Sequence, residues 1–175
     1  MSIDKKKGIM FSSGDDFYVF VYSVLVVLNY LKCRNGNYFR DLRKIAYLIE
    51  ILNDPKSISI LKKYKGGFIR SQSDRIRLSE AYSRSVLRKG EVSKVIFSLE
   101  KRGYISLRRG SKPGEIDVSL NIESLPKGFL DADEFSTDKK NAESLFKSVP
   151  RISVLTFEKF IENLFINYGV KAWPV

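Results

Sequence analysis

The sequence predicts a mainly α-helical protein with a small β-ribbon: a winged helix-turn-helix core with added N- and C-terminal helices. Three observations predict it. After Arg88-Lys89-Gly90, the residues Val92, Val95, Ile96 and Leu99 recur at the spacing of one buried helix face. Gly103 then stands where a left-handed residue closes a helix at low steric cost. Beyond it the apolar period changes to two, in Tyr104-Ile105-Ser106-Leu107 and again in Ile116-Asp117-Val118-Ser119-Leu120. Gly110-Ser111-Lys112-Pro113-Gly114 between these runs has the composition of a sharp reversal.

Residues 1–14 read as a basic, flexible N-terminus, with Lys5, Lys6 and Lys7 on a solvated tail rather than a DNA-seeking arm. Asp15 and Asp16 suit the positive dipole end of a helix from about Phe17 to Lys32. That helix is apolar almost all round, so it is central in a core or shared with a partner. Its apolar run, Phe17 to Leu31 with Asn29 inside it, falls short of the roughly 20 residues that a membrane span needs. Arg34-Asn35-Gly36-Asn37 is a turn. A second helix, Phe39–Asn53, turns Leu42, Ile45, Ala46, Leu48, Ile49 and Leu52 inward and leaves Arg40, Arg43, Lys44 and Glu50 on the rest of its surface. Pro55 stops it and opens a third helix, Lys56–Lys65, which Gly66-Gly67 ends.

Ser73 or Asp74 caps a fourth helix carrying Ile76, Leu78, Ala81 and Tyr82 and ending near Leu87. The turn Arg88-Lys89-Gly90 then leads into the second helix of the motif. The helical winged-helix domain spans residues 15–121. Residues 122–175 form a C-terminal acidic linker and helices. Six acidic residues face three basic ones between Asn121 and Leu145, and Pro126 and Gly128 mark the linker. Ala142–Val149 is a short helix that Pro150 breaks, and Leu155–Tyr168 is amphipathic, with Phe157, Phe160, Ile161, Leu164 and Phe165 on one side. The apolar tail Gly169–Val175, with Trp173, is read as folding back on the core.

The 31 Lys and Arg outnumber the 20 Asp and Glu, for a net charge of +11, which points to an anionic partner. Nine basic and two acidic residues lie between Arg84 and Gly114, so most of that excess sits on the motif. The chain has no histidine and one cysteine, Cys33. Histidine-based acid–base and nucleophilic chemistry, histidine metal sites, zinc fingers and an internal disulfide are therefore excluded. No P-loop pattern occurs, and Pro113 would deprive the hairpin tip of an amide that a phosphate cradle uses. Asp131, Asp133 and Glu134 are adjacent carboxylates, but they fall in a loop without the lysine or strand pattern of a magnesium nuclease. The reading is a cytoplasmic, non-enzymatic protein without metal or cofactor.

The candidate DNA contacts are Arg88, Lys89, Lys94, Lys101, Arg102, Arg108, Arg109 and Lys112. The outward face of the motif's second helix offers Glu91, Ser93, Lys94, Phe97, Ser98, Glu100 and Lys101. None is an Arg, Asn or Gln able to grip a base edge with two hydrogen bonds, so the expected contact is with the phosphate backbone of double-stranded DNA. Phe97 fits either burial under a neighbouring helix or a protein contact.

Two segments carry a resemblance: LRKIAYLIEILNDP at 42–55, after the apolar first helix, and EVSKVIFSLEKRGYISLRRGSKPGEIDVSL at 91–120. With the C-terminal helix, this order resembles the middle component of bacterial three-component ABC systems. It is also similar to the small subunit of Lamassu-type defence complexes. The resemblance spans roughly residues 17–165 and rests on helix patterns and a winged helix, with no catalytic signature. It implies an accessory subunit beside an SMC-like (Rad50-like) ATPase and an effector, such as a nuclease, helping the complex engage plasmid or phage DNA. Candidate partner surfaces are then the first helix together with Phe97, Phe157, Phe160, Phe165 and Trp173. The alternative is a winged-helix transcription regulator acting as a homodimer, with the long first helix as its dimer element.

Overall fold

The computed structural model describes residues 12–173, so the lysine-rich start of the chain lies outside the described residues. Among the described residues six α-helices and one hairpin follow in order: α1 (Ser12–Tyr30), α2 (Arg43–Leu52), α3 (Pro55–Tyr64), α4 (Gln72–Lys101), β1 (Ile105–Arg109), β2 (Ile116–Leu120), α5 (Ser136–Ser148) and α6 (Phe157–Leu164). The fold is mainly helical with a two-stranded antiparallel sheet, as the sequence predicts.

The central helix is α2 rather than α1. Every residue from Lys44 to Leu52 is buried, because α1, α3, α4, α5 and α6 all pack on it. Two polar residues expected on its surface are therefore inside. Lys44 donates to the carbonyls of Ile152 (2.8 Å) and Leu155 (2.7 Å), and its ammonium lies 4.5 Å from the Phe39 ring centroid. Glu50 accepts a hydrogen bond from Arg84 of α4 at 3.1 Å and forms an ion pair with Arg88, also at 3.1 Å. Burial without such partners would cost several kcal/mol per charge. Helix α2 also begins four residues later than its pattern suggests, because Phe39 is held in an edge bridge to Val118.

The largest departure is in α4. The turn expected at Arg88-Lys89-Gly90 is absent, and one helix of 30 residues runs from Gln72 to Lys101. Its N-cap is Ser71, whose Oγ accepts from the amide of Asp74. The buried side chains Leu78, Ala81, Tyr82, Ser85, Val92, Val95, Ile96 and Leu99 keep one helical phase straight through Gly90. Half-buried Arg88 and Lys89 fill the gap in that stripe. Glycine costs a helix interior only about 1 kcal/mol relative to alanine, which a continuous buried face and the Glu50 clasp outweigh. The helix closes as predicted at Gly103 (φ +81°): the Tyr104 amide donates to Leu99 and the Gly103 amide to Glu100.

Residues after the hairpin belong to the same core as those before it. The acidic segment is not a free linker. Three short 3₁₀ turns carry it along α1, with Leu130 and Phe135 buried and Tyr22 4.8 Å from Phe135 between ring centroids. Phe157, Phe160 and Phe165 are buried too, which corrects their reading as partner surfaces. They surround Tyr47 of α2 at 5.7, 6.0 and 5.8 Å between ring centroids, and Phe165 also meets Tyr82 of α4. The tail as far as Trp173 folds back as expected: Val170 is buried and the Tyr82 hydroxyl donates to the Trp173 carbonyl. The Trp173 indole itself stays 76% exposed.

Candidate nucleic-acid interface

The hairpin pairs Ile105 with Leu120 and Arg109 with Ile116 at its two ends. Its second strand is held on both edges. Besides β1, the segment before α2 docks along it: Phe39 and Val118 exchange two backbone hydrogen bonds, and the Leu42 amide donates to Ile116. The Asp41 amide adds a bond to Asp117 Oδ1 at 3.1 Å. This third segment joins the hairpin to the central helix and fixes its direction.

The hairpin tip is built around a buried carboxylate. Glu115 accepts from Arg40 Nε at 3.0 Å and from the Ser111 amide at 3.3 Å, while Arg40 also donates to Ser111 Oγ. The backbone closes with the Gly110 amide on the Glu115 carbonyl. A side chain at Gly110 would meet Glu115 Cγ and Oε1 at 2.5 Å, so the close approach requires glycine. The tip is a braced turn rather than a loose loop.

The same bracing consumes much of the positive charge. Arg108 donates to Asp117 across the hairpin at 3.2 Å and stacks over the Tyr38 ring at 4.0 Å. Lys112 lies 3.5 Å from Glu158, and Arg84 and Arg88 share Glu50. Lys89 is half-buried, 5.7 Å from the ring centroids of both Tyr47 and Phe157, and burial lowers its pKa. Of the nine basic residues between Arg84 and Gly114, Lys94, Lys101, Arg102 and Arg109 are exposed and form no ion pair among the described residues. Three of these cluster in sequence at the junction of α4 with the hairpin and on its first strand.

Of the two carboxylates that pair these arginines, one is legible in the sequence and the other is not. Arg108 and Asp117 fall opposite one another once the hairpin register is drawn, and opposite charges in that relation pair. Glu50 gave no such signal, since its arginines come from a helix distant in sequence. Phe97 is 47% exposed on α4, which decides against its burial under a neighbour. Among the described residues no helix is long and apolar enough to cross a membrane. No group of three metal-ligating side chains comes together among them. No family model, curated protein or solved structure matches the chain.

Proposed function

We propose that the protein is a non-enzymatic, winged-helix accessory subunit of an SMC-like ATPase complex in bacterial defence against plasmids and phages. Its hairpin meets the phosphate backbone of double-stranded DNA, and its exposed apolar side chains meet protein. The observation that carries the DNA contact is the set Lys101, Arg102 and Arg109, exposed and unpaired, on a junction that Glu115 and Asp117 hold rigid. Cations fixed in place lose little freedom on meeting phosphate, and phosphate contacts position a protein without reading sequence.

The order helix, edge segment, helix, helix, hairpin supports the winged-helix reading, with its parts reassigned. Helix α2 and the second half of α4 take the places of the paired helices, and α3 with the first half of α4 is interposed between them. The outward face of that second half still carries no base-reading Arg, Asn or Gln. Contact with the ATPase falls to the exposed side chains Phe17, Tyr18 and Val19 of α1, and to Trp173.

Co-purification with an SMC-like ATPase encoded beside this chain tests the reading. A stable complex that Tyr18→Glu disrupts, with the isolated chain still folded, supports it. A free protein that ignores the ATPase and protects one defined operator sequence defeats it in favour of a transcription regulator.

A further inference from the structure

Helix α4 buries one face along its whole length, and among the described residues the opposite face stays exposed, with Gly169, Lys171 and Trp173 of the tail beside its first half. Ile76, Glu80, Ser83, Leu87, Gly90, Lys94 and Phe97 follow one another at steps of three and four residues and are all exposed. This is the spacing of a seam against another helix. Leu87, at its centre, is 81% exposed, and Ile76 and Phe97 near its ends are 49% and 47% exposed. Single exposed apolar residues need no explanation, but three in register on one stripe, with the small residues Ser83 and Gly90 between them, form a surface.

The stripe is complementary to itself. Reversing the helix about Leu87 places Glu80 on Lys94, Ser83 beside Gly90, Ile76 beside Phe97 and Leu87 on its own copy. Glu80 and Lys94 have no ion-pair partner within the chain among the described residues. A two-fold axis through Leu87 would satisfy both charges twice over. It would also seat each leucine between the Ser83 and Gly90 of the other helix. A two-fold contact requires one patch to complement itself, and a sequence that meets a foreign helix has no reason to obey that rule.

We infer that α4 is a dimerisation helix, and that its open face is covered by the α4 of a second copy of this chain, running antiparallel. The two hairpins then leave from opposite ends of the paired helices, with their Lys101 residues about 42 Å apart along the axis at 1.5 Å per residue. Lys94 turns inward to Glu80 of the other copy, and Lys101, Arg102 and Arg109 remain outside. The inference rests on α4 alone and stands whether or not the ATPase reading holds.

Charge exchange tests it. Sedimentation equilibrium of the full chain at about 1–100 μM, a range that brackets ordinary reversible dimers, should give twice the 20.1 kDa of one chain. Glu80→Lys alone and Lys94→Glu alone each turn two attractions into two repulsions and should weaken dimerisation about tenfold. The double variant Glu80→Lys/Lys94→Glu should restore it to within about threefold. Both side chains are exposed, so the fold is unaffected, which circular dichroism checks. Leu87→Cys should form a disulfide-linked dimer on mild oxidation, while buried Cys33 stays silent. A monomer throughout, unchanged association in both single variants, or a double variant as weak as the worse single would overturn the inference. So would a face covered only when a different protein is added.

Discussion

Replacing Gly90 by alanine separates a continuous α4 from the helix-turn-helix that the local sequence suggests. Gly90 sits in the helix interior, outside the left-handed region, and an added Cβ would meet nothing within 4 Å. The substitution therefore gains helix propensity and narrows the unfolded ensemble without a steric cost. Together these stabilise by about 0.5–1 kcal/mol. For a chain of this size that is a rise of about 1–4 °C in Tm. Urea melts followed by circular dichroism measure it, repeated at tenfold dilution so that any change in self-association is seen separately. If the chain turned at this glycine, alanine there would be strained and the protein would lose stability. A loss at both concentrations would refute the continuous helix.

Three further outcomes follow from the buried groups. Burial drives the Lys44 ammonium down to about 7, although Asp41 draws it partly back. The unfolded chain therefore holds a proton that the folded chain lacks between pH 7 and the ordinary lysine range. Stability should rise from pH 7 to pH 9, by at most about 1.4 kcal/mol per pH unit for one proton. Above pH 9 Cys33, which burial pushes up to about 11 from 9.0, acts with the opposite sign and closes the window. Lys44→Met should flatten the rise in urea melts at pH 7, 8 and 9; an unchanged slope would count against Lys44 as its source. Glu115→Ala should cost about 1–3 kcal/mol, with Arg40 partly exposed and so cheap to leave unpaired, and should speed hydrogen exchange at the amides of Gly110 and Ser111. Asp54, held below the ordinary carboxylate range by Arg77 and Ser57 despite its burial, should contribute stability above its unfolded pKa and lose it as the pH falls. Asp54→Asn should therefore lessen the acid sensitivity of the melts.

Local signals in the sequence predict the structure where local forces decide. Gly103 closes α4, Pro55 opens α3, and β2 occupies the five residues whose alternation marks it. At Arg88-Lys89-Gly90 a single glycine suggests a turn, but the phase of the whole helix outweighs it. Leu78, Ser85, Val92 and Leu99 recur every seven residues across it, and that recurrence was visible in the sequence. Lys44 and Glu50 are buried against their local pattern for a different reason. A charged residue on an amphipathic pattern normally marks the outside, and only partners far along the chain, the Ile152 and Leu155 carbonyls and two arginines of α4, make it tolerable inside. The Phe residues of α6 share one face, as their spacing predicts, but pattern alone does not say whether an apolar face meets its own core or another protein. The same limit hid the charge balance of the hairpin, where Asp117 and Glu115 quench arginines that composition counts as free.

The most direct test of the proposed role is the salt dependence of binding to a random duplex of about 30 base pairs, for the chain alone and with its co-purified ATPase. Each phosphate neutralised contributes about −0.9 to the slope of log affinity against log salt. The triple variant Lys101→Glu/Arg102→Glu/Arg109→Glu should weaken binding and make that slope shallower by about 2–3, whereas Lys112→Ala, already facing Glu158, should change it little. Affinity should not depend on the duplex sequence. An unchanged slope in the triple variant, or a strong preference for one sequence, would contradict a hairpin that grips the DNA backbone.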